Sequence, residues 1–237
     1  VTQAVIFTGG INHPFETSAP ALAEILRGAG FATRVSFAIE ETCADLRANP
    51  RALLVVHALR WTMTQHEKYA PDRAQWAFAT SHDVRETIQA HVAHGAGLLA
   101  LHTASICFDD WPGWPQLLGG GWQWGRSFHP PPAPVRMHLA PSHILTRGLG
   151  DFLVTDELYS EQQIAPGSEI CGWLSPGTQT ENAAQPAVWT HHYGKGRVVY
   201  DALGHDAESL RQPTHSRLIQ RAALWASGHP QHIVEAA

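Results

Sequence analysis

The sequence is poor in the features that mark several large protein classes. It holds only three cysteines, Cys43, Cys107 and Cys171, an odd number at wide spacing with no CxxC pair. That pattern disfavours a disulfide scaffold or a thiolate zinc site and fits reduced thiols in a cytoplasmic protein. No Lys/Arg cluster exceeds an isolated pair, and the formal net charge is −5 with neutral histidine. A nucleic-acid footprint needs a basic stripe to displace counterions from phosphates, and a polybasic membrane contact needs one too, so neither partner is expected. No apolar stretch approaches the roughly 20 residues that span a bilayer. The opening VTQAVIFTGG also lacks the basic flank and long apolar run of a signal peptide. There is no HExxH, and no HxH with a nearby acid, so no metal motif of local spacing exists. What remains, 44% hydrophobic and 16% charged residues in 237, reads as one globular domain over residues 1–237.

Two residue types are abundant instead. Histidines number 16, as many as lysine and arginine together, and there are nine tryptophans. Only position can single any of them out, so the order of elements comes first. The run AVIFT (4–8) reads as a buried first strand before a glycine pair. SAPALAEILRGAGF follows with helical spacing of Leu22, Ile25, Leu26 and Ala29, Ser18 reading as its N-cap. ATRVSF (32–37) is the next strand, ETCADLRA a short helix and ALLVV (52–56) a third strand, whereas 57–80 shows no clear period. A helix carrying Val84, Ile88 and Val92 on one face starts at Thr80, which with Asp83 suggests a capping box. The fourth strand is GLLAL (97–101). Strands alternating with amphipathic helices predict βαβ units around a mostly parallel sheet. Later strands are expected at 135–139, 169–174, 187–192 and 197–203, the last two joined by a hairpin turn at YGKG. The chain closes with the helix SRLIQRAALWA. The Gly/Pro-rich stretch 119–134 is too long for a mere connector, and such loops often carry function.

The fourth strand stops abruptly at His102. Ala100 and Ala104 flank it at the two positions where a nucleophile elbow requires small residues, so A-L-H-T-A stands where G-x-S-x-G or G-x-C-x-G would. This predicts His102 on a tight bend at the C-terminal edge of the sheet, where open α/β folds bind ligands. Imidazole there can serve as a base near neutrality or as a metal ligand, and it rules out a thioester mechanism. The alternative is a buried histidine that only bonds a backbone carbonyl. His13 (GGINHPFE) and His205 (ALGHD) fall at comparable strand-end loops. Asp156 and Glu157 form a carboxylate pair beside Tyr159, and His129 sits in the Gly/Pro loop. His13, His102, Glu157 and His205, if they converge, suit a divalent ion such as zinc, and equally a metal-free acid–base site. Trp111, Trp114, Trp122 and Trp124 crowd one span. Trp111, Trp114, Tyr159 and Asp110 are the candidate sugar contacts, since indole faces stack on C–H faces of sugars and a carboxylate accepts from hydroxyls. Two other roles stay open for these tryptophans: pinning the loop to the core, or forming the interface of a homo-oligomer.

With GGINHPFE, APALAEIL, GLLALHTA, DWPGWPQLLGG, FHPP, DELY and PAVWTHHYGKGRVVYDALGHDAESL in this order, the chain resembles the ThuA-like, or trehalose-utilization, family over roughly residues 4–227. The resemblance implies a class I glutamine amidotransferase-like fold, a flavodoxin-like three-layer sandwich with additional C-terminal antiparallel strands, in which histidine replaces the amidotransferase cysteine. It also implies catabolism of trehalose-type disaccharides through 3-keto derivatives made by a partner dehydrogenase. The positions matching the family's site motifs are His13, His102, His129, Glu157 and His205. Many relatives read His-Asp where this chain reads His13-Pro14, which leaves Glu16 as the nearest carboxylate for His13. The reaction that follows is enolization of a keto sugar, leading to isomerization or elimination, with His102 or Glu157 as base. The alternatives are metal-assisted hydrolysis of a glycoside-like bond and non-catalytic sugar binding.

Overall fold

A computed structural model describes residues 2–177 and 184–237. In chain order its elements are β1 (Gln3–Gly10), α1 (Phe15–Gly28), β2 (Ala32–Ser36), α2 (Ile39–Ala48), β3 (Leu53–Leu59), α3 (Ala70–Trp76), α4 (His82–Ala93) and β4 (Leu98–Leu101). Then come α5 (Gly113–Leu118), β5 (Gly120–Gly121), β6 (Ala133–Leu139), β7 (Phe152–Asp156), β8 (Gln163–Ile164), β9 (Glu169–Pro176), β10 (Gln185–Tyr193) and β11 (Gly196–Asp201). Three helices close the chain: α6 (Ala207–Arg211), α7 (Pro213–Ala226) and α8 (Gln231–Ala236). No helix among the described residues is long and apolar enough to cross a membrane.

One nine-stranded sheet has the order β2-β1-β3-β4-β11-β10-β9-β6-β7. Its first five strands are parallel. They follow the 2-1-3-4-5 order of flavodoxin-like folds, with β11 in fifth place. Strands covered on both faces read as continuous apolar runs, and every residue of β3 and β4 is buried. The remaining four strands are antiparallel neighbours. Alternating direction outward from β11 makes β7 run the same way as β1, β3 and β4. The C-terminal ends of β1, β4, β7 and β11 therefore share one edge. In a flat sheet β4 and β7 would stand five strand spacings apart, about 24 Å. Atoms just beyond their ends nevertheless lie within hydrogen-bond range, so the antiparallel half curls back over that edge. Register shifts between β9 and β10 at Pro186/Val188 and Val188/Trp189 contribute, because a bulge bends and twists its strand.

Several local expectations change. Helix α1 begins at Phe15, three residues before the anticipated cap; Ser18 lies inside it, buried, with its hydroxyl 2.9 Å from Nε2 of His57. Helix α4 is capped by Ser81, whose hydroxyl accepts from the Val84 N–H, while Thr80 donates its hydroxyl to Asp110. The region from His57 onward holds the end of β3, a 3-10 turn at Glu67–Tyr69 and α3. The Gly/Pro stretch is pinned by the β5–β8 ladder and by a bridge between Phe128 and Ser160.

Candidate active site

The site starts from a strained residue. His102 has φ +52, a left-handed conformation that a side chain disfavours, costing of order 1–3 kcal/mol. Its surroundings fix it there. The Tyr200 hydroxyl donates to its carbonyl at 2.8 Å, and its Nδ1 lies 2.7 Å from the Ala202 carbonyl. Ala100 and Ala104 on either side are fully buried, as the elbow pattern requires. A carbonyl oxygen can only accept, so Nδ1 carries the hydrogen and Nε2 keeps a lone pair.

That lone pair meets the other candidates. His102 Nε2 is 3.1 Å from Nε2 of His13, on the loop after β1, and 3.2 Å from Oε2 of Glu157, just past β7. His13 Nε2 is 3.8 Å from the same carboxylate oxygen, and His205 Nδ1, after β11, is 3.6 Å from Oε1. One ligand atom from each of these four residues lies within 4.8 Å of the others. Donors at about 2.0–2.1 Å around a tetrahedral zinc ion stand about 3.3–3.4 Å apart, so the arrangement fits a divalent cation. A second observation agrees: Glu157 Oε2 and His205 Nδ1, which face the cluster, are buried without a hydrogen-bond partner of acceptable geometry.

Electrostatics draws positive charge to this point. Burial pushes the His102 pKa down, but Glu157 and Asp156 outweigh it and raise it overall. Burial dominates at His13, whose pKa falls despite Glu157. The Glu157 carboxyl is held far below its usual range, since His102 and His13 outweigh its burial. Behind the cluster, Asp156 Oδ2 accepts from the Gly204 N–H at 2.8 Å and from the Ser209 hydroxyl, fixing the loop that carries His205.

A cavity of about 430 Å³ opens onto this cluster. His13, His129, Glu157 and Tyr159 line it, whereas His102 and His205 are not among its lining residues. His129 Nδ1 lies 3.4 Å from Glu157 Oε2 and 3.1 Å from the Pro130 carbonyl, which leaves Nε2 as its free basic nitrogen. Tyr159 stacks on His102 with ring centroids 4.7 Å apart, and burial raises its hydroxyl pKa well above 10.

The other expected contacts lie elsewhere. Trp114 is buried against Phe108 and donates its N–H to the Ala104 carbonyl. Trp111 packs on Trp114 and is also buried. Both serve the core, and the cavity takes Trp122 and Trp124 instead. Asp110 is a brace: it accepts from the Thr80 N–H at 2.9 Å and from Arg85 at 3.0 Å. Asp109 likewise holds the Thr62 N–H at 2.7 Å. Glu16 is exposed in the first turn of α1, so the carboxylate beside His13 is Glu157. Trp61, Lys68, Tyr69 and Asp72 line the cavity although nothing in the aperiodic stretch 57–80 singled them out.

The same fold occurs in solved structures of low sequence identity. A ThuA-like protein from Parabacteroides merdae superposes with a TM-score of 0.74 at 18% identity, covering 96% of this chain and 90% of that one. A cytoplasmic protein from Salmonella typhimurium LT2 gives 0.59 at 14% identity, with 95% and 97% covered. A cold-adapted β-galactosidase from Rahnella sp. R3 gives 0.62 at 15% identity, over 97% of this chain but 32% of that one. No curated protein matches the chain. The family described as ThuA, trehalose utilisation, matches residues 3–226, and the chain belongs to that family.

Proposed function

We propose that the chain is a sugar-catabolic enzyme that enolizes a keto sugar, with a 3-keto-disaccharide of the trehalose type as the substrate class. The observation that carries this reading is the convergence of His13, His102, Glu157 and His205 on one point beneath a cavity edged by His129 and Tyr159. Those four residues would hold a divalent ion such as zinc. Bound there, such an ion supplies Lewis-acid polarisation of a substrate oxygen.

The chain's own residues account for the proton traffic. A carbonyl makes the neighbouring C–H acidic, so the reaction needs a base near that carbon and a donor at the carbonyl oxygen. His102 does not line the cavity whereas His129 does, which moves the base away from the elbow and onto His129, whose Nε2 is free. Nε2 takes the proton; the Tyr159 hydroxyl, protonated at every physiological pH, donates to the oxygen on which charge collects. His129 then returns the proton to the enediol for isomerization, or to the departing glycosidic oxygen for elimination. The His102 imidazole positions Glu157 and His13 rather than touching substrate. The C3 position of a trehalose-type disaccharide is a secondary alcohol, so a partner dehydrogenase must oxidise it to the ketone.

The test is solvent-deuterium incorporation beside the ketone of a 3-keto-disaccharide, with zinc content measured on the same preparation. The expected result is exchange and turnover in the wild type and their loss in His129→Ala and His102→Ala, with zinc lost only in the second. Glycosidic cleavage without exchange would establish hydrolysis instead, and binding without either reaction would establish a non-catalytic sugar module.

A further inference from the structure

Four tryptophans of this fold form two pairs that differ in the fate of their N–H. In the core, Trp114 donates to the Ala104 carbonyl and Trp189 to the Leu118 carbonyl, each at 2.8 Å. At the cavity, Nε1 of Trp61 and Nε1 of Trp122 are buried and have no acceptor. Trp61 is only 2% exposed, and it lines the cavity. A buried donor left unpaired costs about 1–3 kcal/mol. The Tyr159 hydroxyl, between Trp122 and His102, is unpaired as well.

These groups form one wall. Trp61 meets Tyr69 edge-on at 5.4 Å, Tyr69 meets Trp124 at 6.5 Å, and Trp124 meets Trp122 at 6.3 Å. Trp122 meets Tyr159 at 5.3 Å, next to the elbow histidine. Asp109 fixes the start of this wall by holding Thr62. An indole N–H can donate and cannot accept, so its partner must be an oxygen with a lone pair.

We propose that Trp61 and Trp122 are substrate-binding residues whose N–H groups hold two acceptor oxygens of the ligand, the hydroxyl, keto or carboxylate oxygens of a small polyoxygenated molecule. The inference rests on the cavity being the site proposed above, and it adds that recognition is by donors fixed in an aromatic wall rather than by Trp111, Trp114 and Asp110. Hydrogen bonding from a rigid indole orients the ring that the His129 base must reach, at little entropic cost.

The experiment is a ¹H–¹⁵N spectrum of the indole groups with zinc present, the Trp61 and Trp122 signals being assigned from Trp61→Phe and Trp122→Phe. If Trp61→Phe does not fold, contact with the Tyr69 ring assigns its signal in the wild type. Two probes are titrated, a 3-keto-disaccharide and oxalate, a small molecule that carries only acceptor oxygens. Both signals are expected to move downfield with the disaccharide, and each Phe variant to bind it about fivefold to tenfold more weakly, as for one hydrogen bond. Movement with oxalate alone would keep the donor pair and remove the keto-sugar reading. Disaccharide binding that leaves both signals in place, or Phe variants that bind as tightly as the wild type, would overturn the donor pair while the sugar reading stands. Both signals unmoved by either probe overturns it too.

Discussion

Acid should weaken this protein in part through one buried residue of β3, His57. It lies in β3 with no exposed surface, its Nε2 against the Ser18 hydroxyl and its Nδ1 without a partner. Burial pulls its pKa down to about 3, with His102 and His13 adding to the shift. In the unfolded chain the group returns to about 6.5. Between these values the unfolded state binds a proton that the folded state refuses, so stability is full above pH 6.5 and falls as pH drops toward 3. Linkage between about 6.5 and about 3 gives a loss of about 0.2 kcal/mol at pH 7 and about 2 kcal/mol at pH 5. The assay is urea unfolding of the wild type and of His57→Gln at both pH values; glutamine can keep the Ser18 contact but does not titrate. The wild type should lose about 2 kcal/mol more than the variant between pH 7 and pH 5, all other groups cancelling in the comparison. Equal losses in the two proteins, within about 0.5 kcal/mol, would refute the claim that His57 is held neutral.

Other perturbations separate the core from the cavity. Trp114→Ala removes a large buried ring and should cost about 3–5 kcal/mol of stability, read as a lower urea midpoint, while zinc stoichiometry in the folded protein is retained. Asp110→Ala strips the Thr80 and Arg85 bonds and should cost about 1–3 kcal/mol, with the affinity for a keto sugar unchanged in a binding titration. Glu157→Gln removes the charge that His102 and His13 face, and equilibrium dialysis should show zinc affinity reduced at least tenfold in a protein that still folds. Gly10→Ala drives a Cβ into the Leu59 carbonyl at φ +140, so it should unfold at a markedly lower temperature in a melt followed by circular dichroism.

The strands of the parallel half were legible because each is a short apolar run between glycines, and the elbow because Ala100 and Ala104 bracket His102 at a fixed spacing. His13, Glu157 and His205 were legible only as residues at strand ends. Their meeting depends on the curl of four antiparallel strands, which no local pattern encodes. The tryptophans show the limit most clearly. Trp111 and Trp122 are alike in sequence, and which of them turns inward is decided by α5 and by the β5–β8 ladder. Trp61 sits in a stretch without period, next to Thr62, which Asp109 holds from 47 residues away in the chain, so no neighbouring signal could find it. Ser18 misled as a helix cap because its hydroxyl is claimed by His57, across the layer, rather than by its own helix.

The position of β11 has a consequence for how the chain is made. It pairs with β4 on one side and β10 on the other, yet it is formed by residues 196–201, which are made only after β5 to β10 have followed β4 out of the ribosome. Until then the nascent β4, Leu-Leu-Ala-Leu, offers a bare apolar edge that other growing chains can join. Premature termination anywhere between β4 and β11 would therefore yield an adhesive fragment without His205, so that synthesis of this protein places its demand on chaperones before any ligand pocket exists.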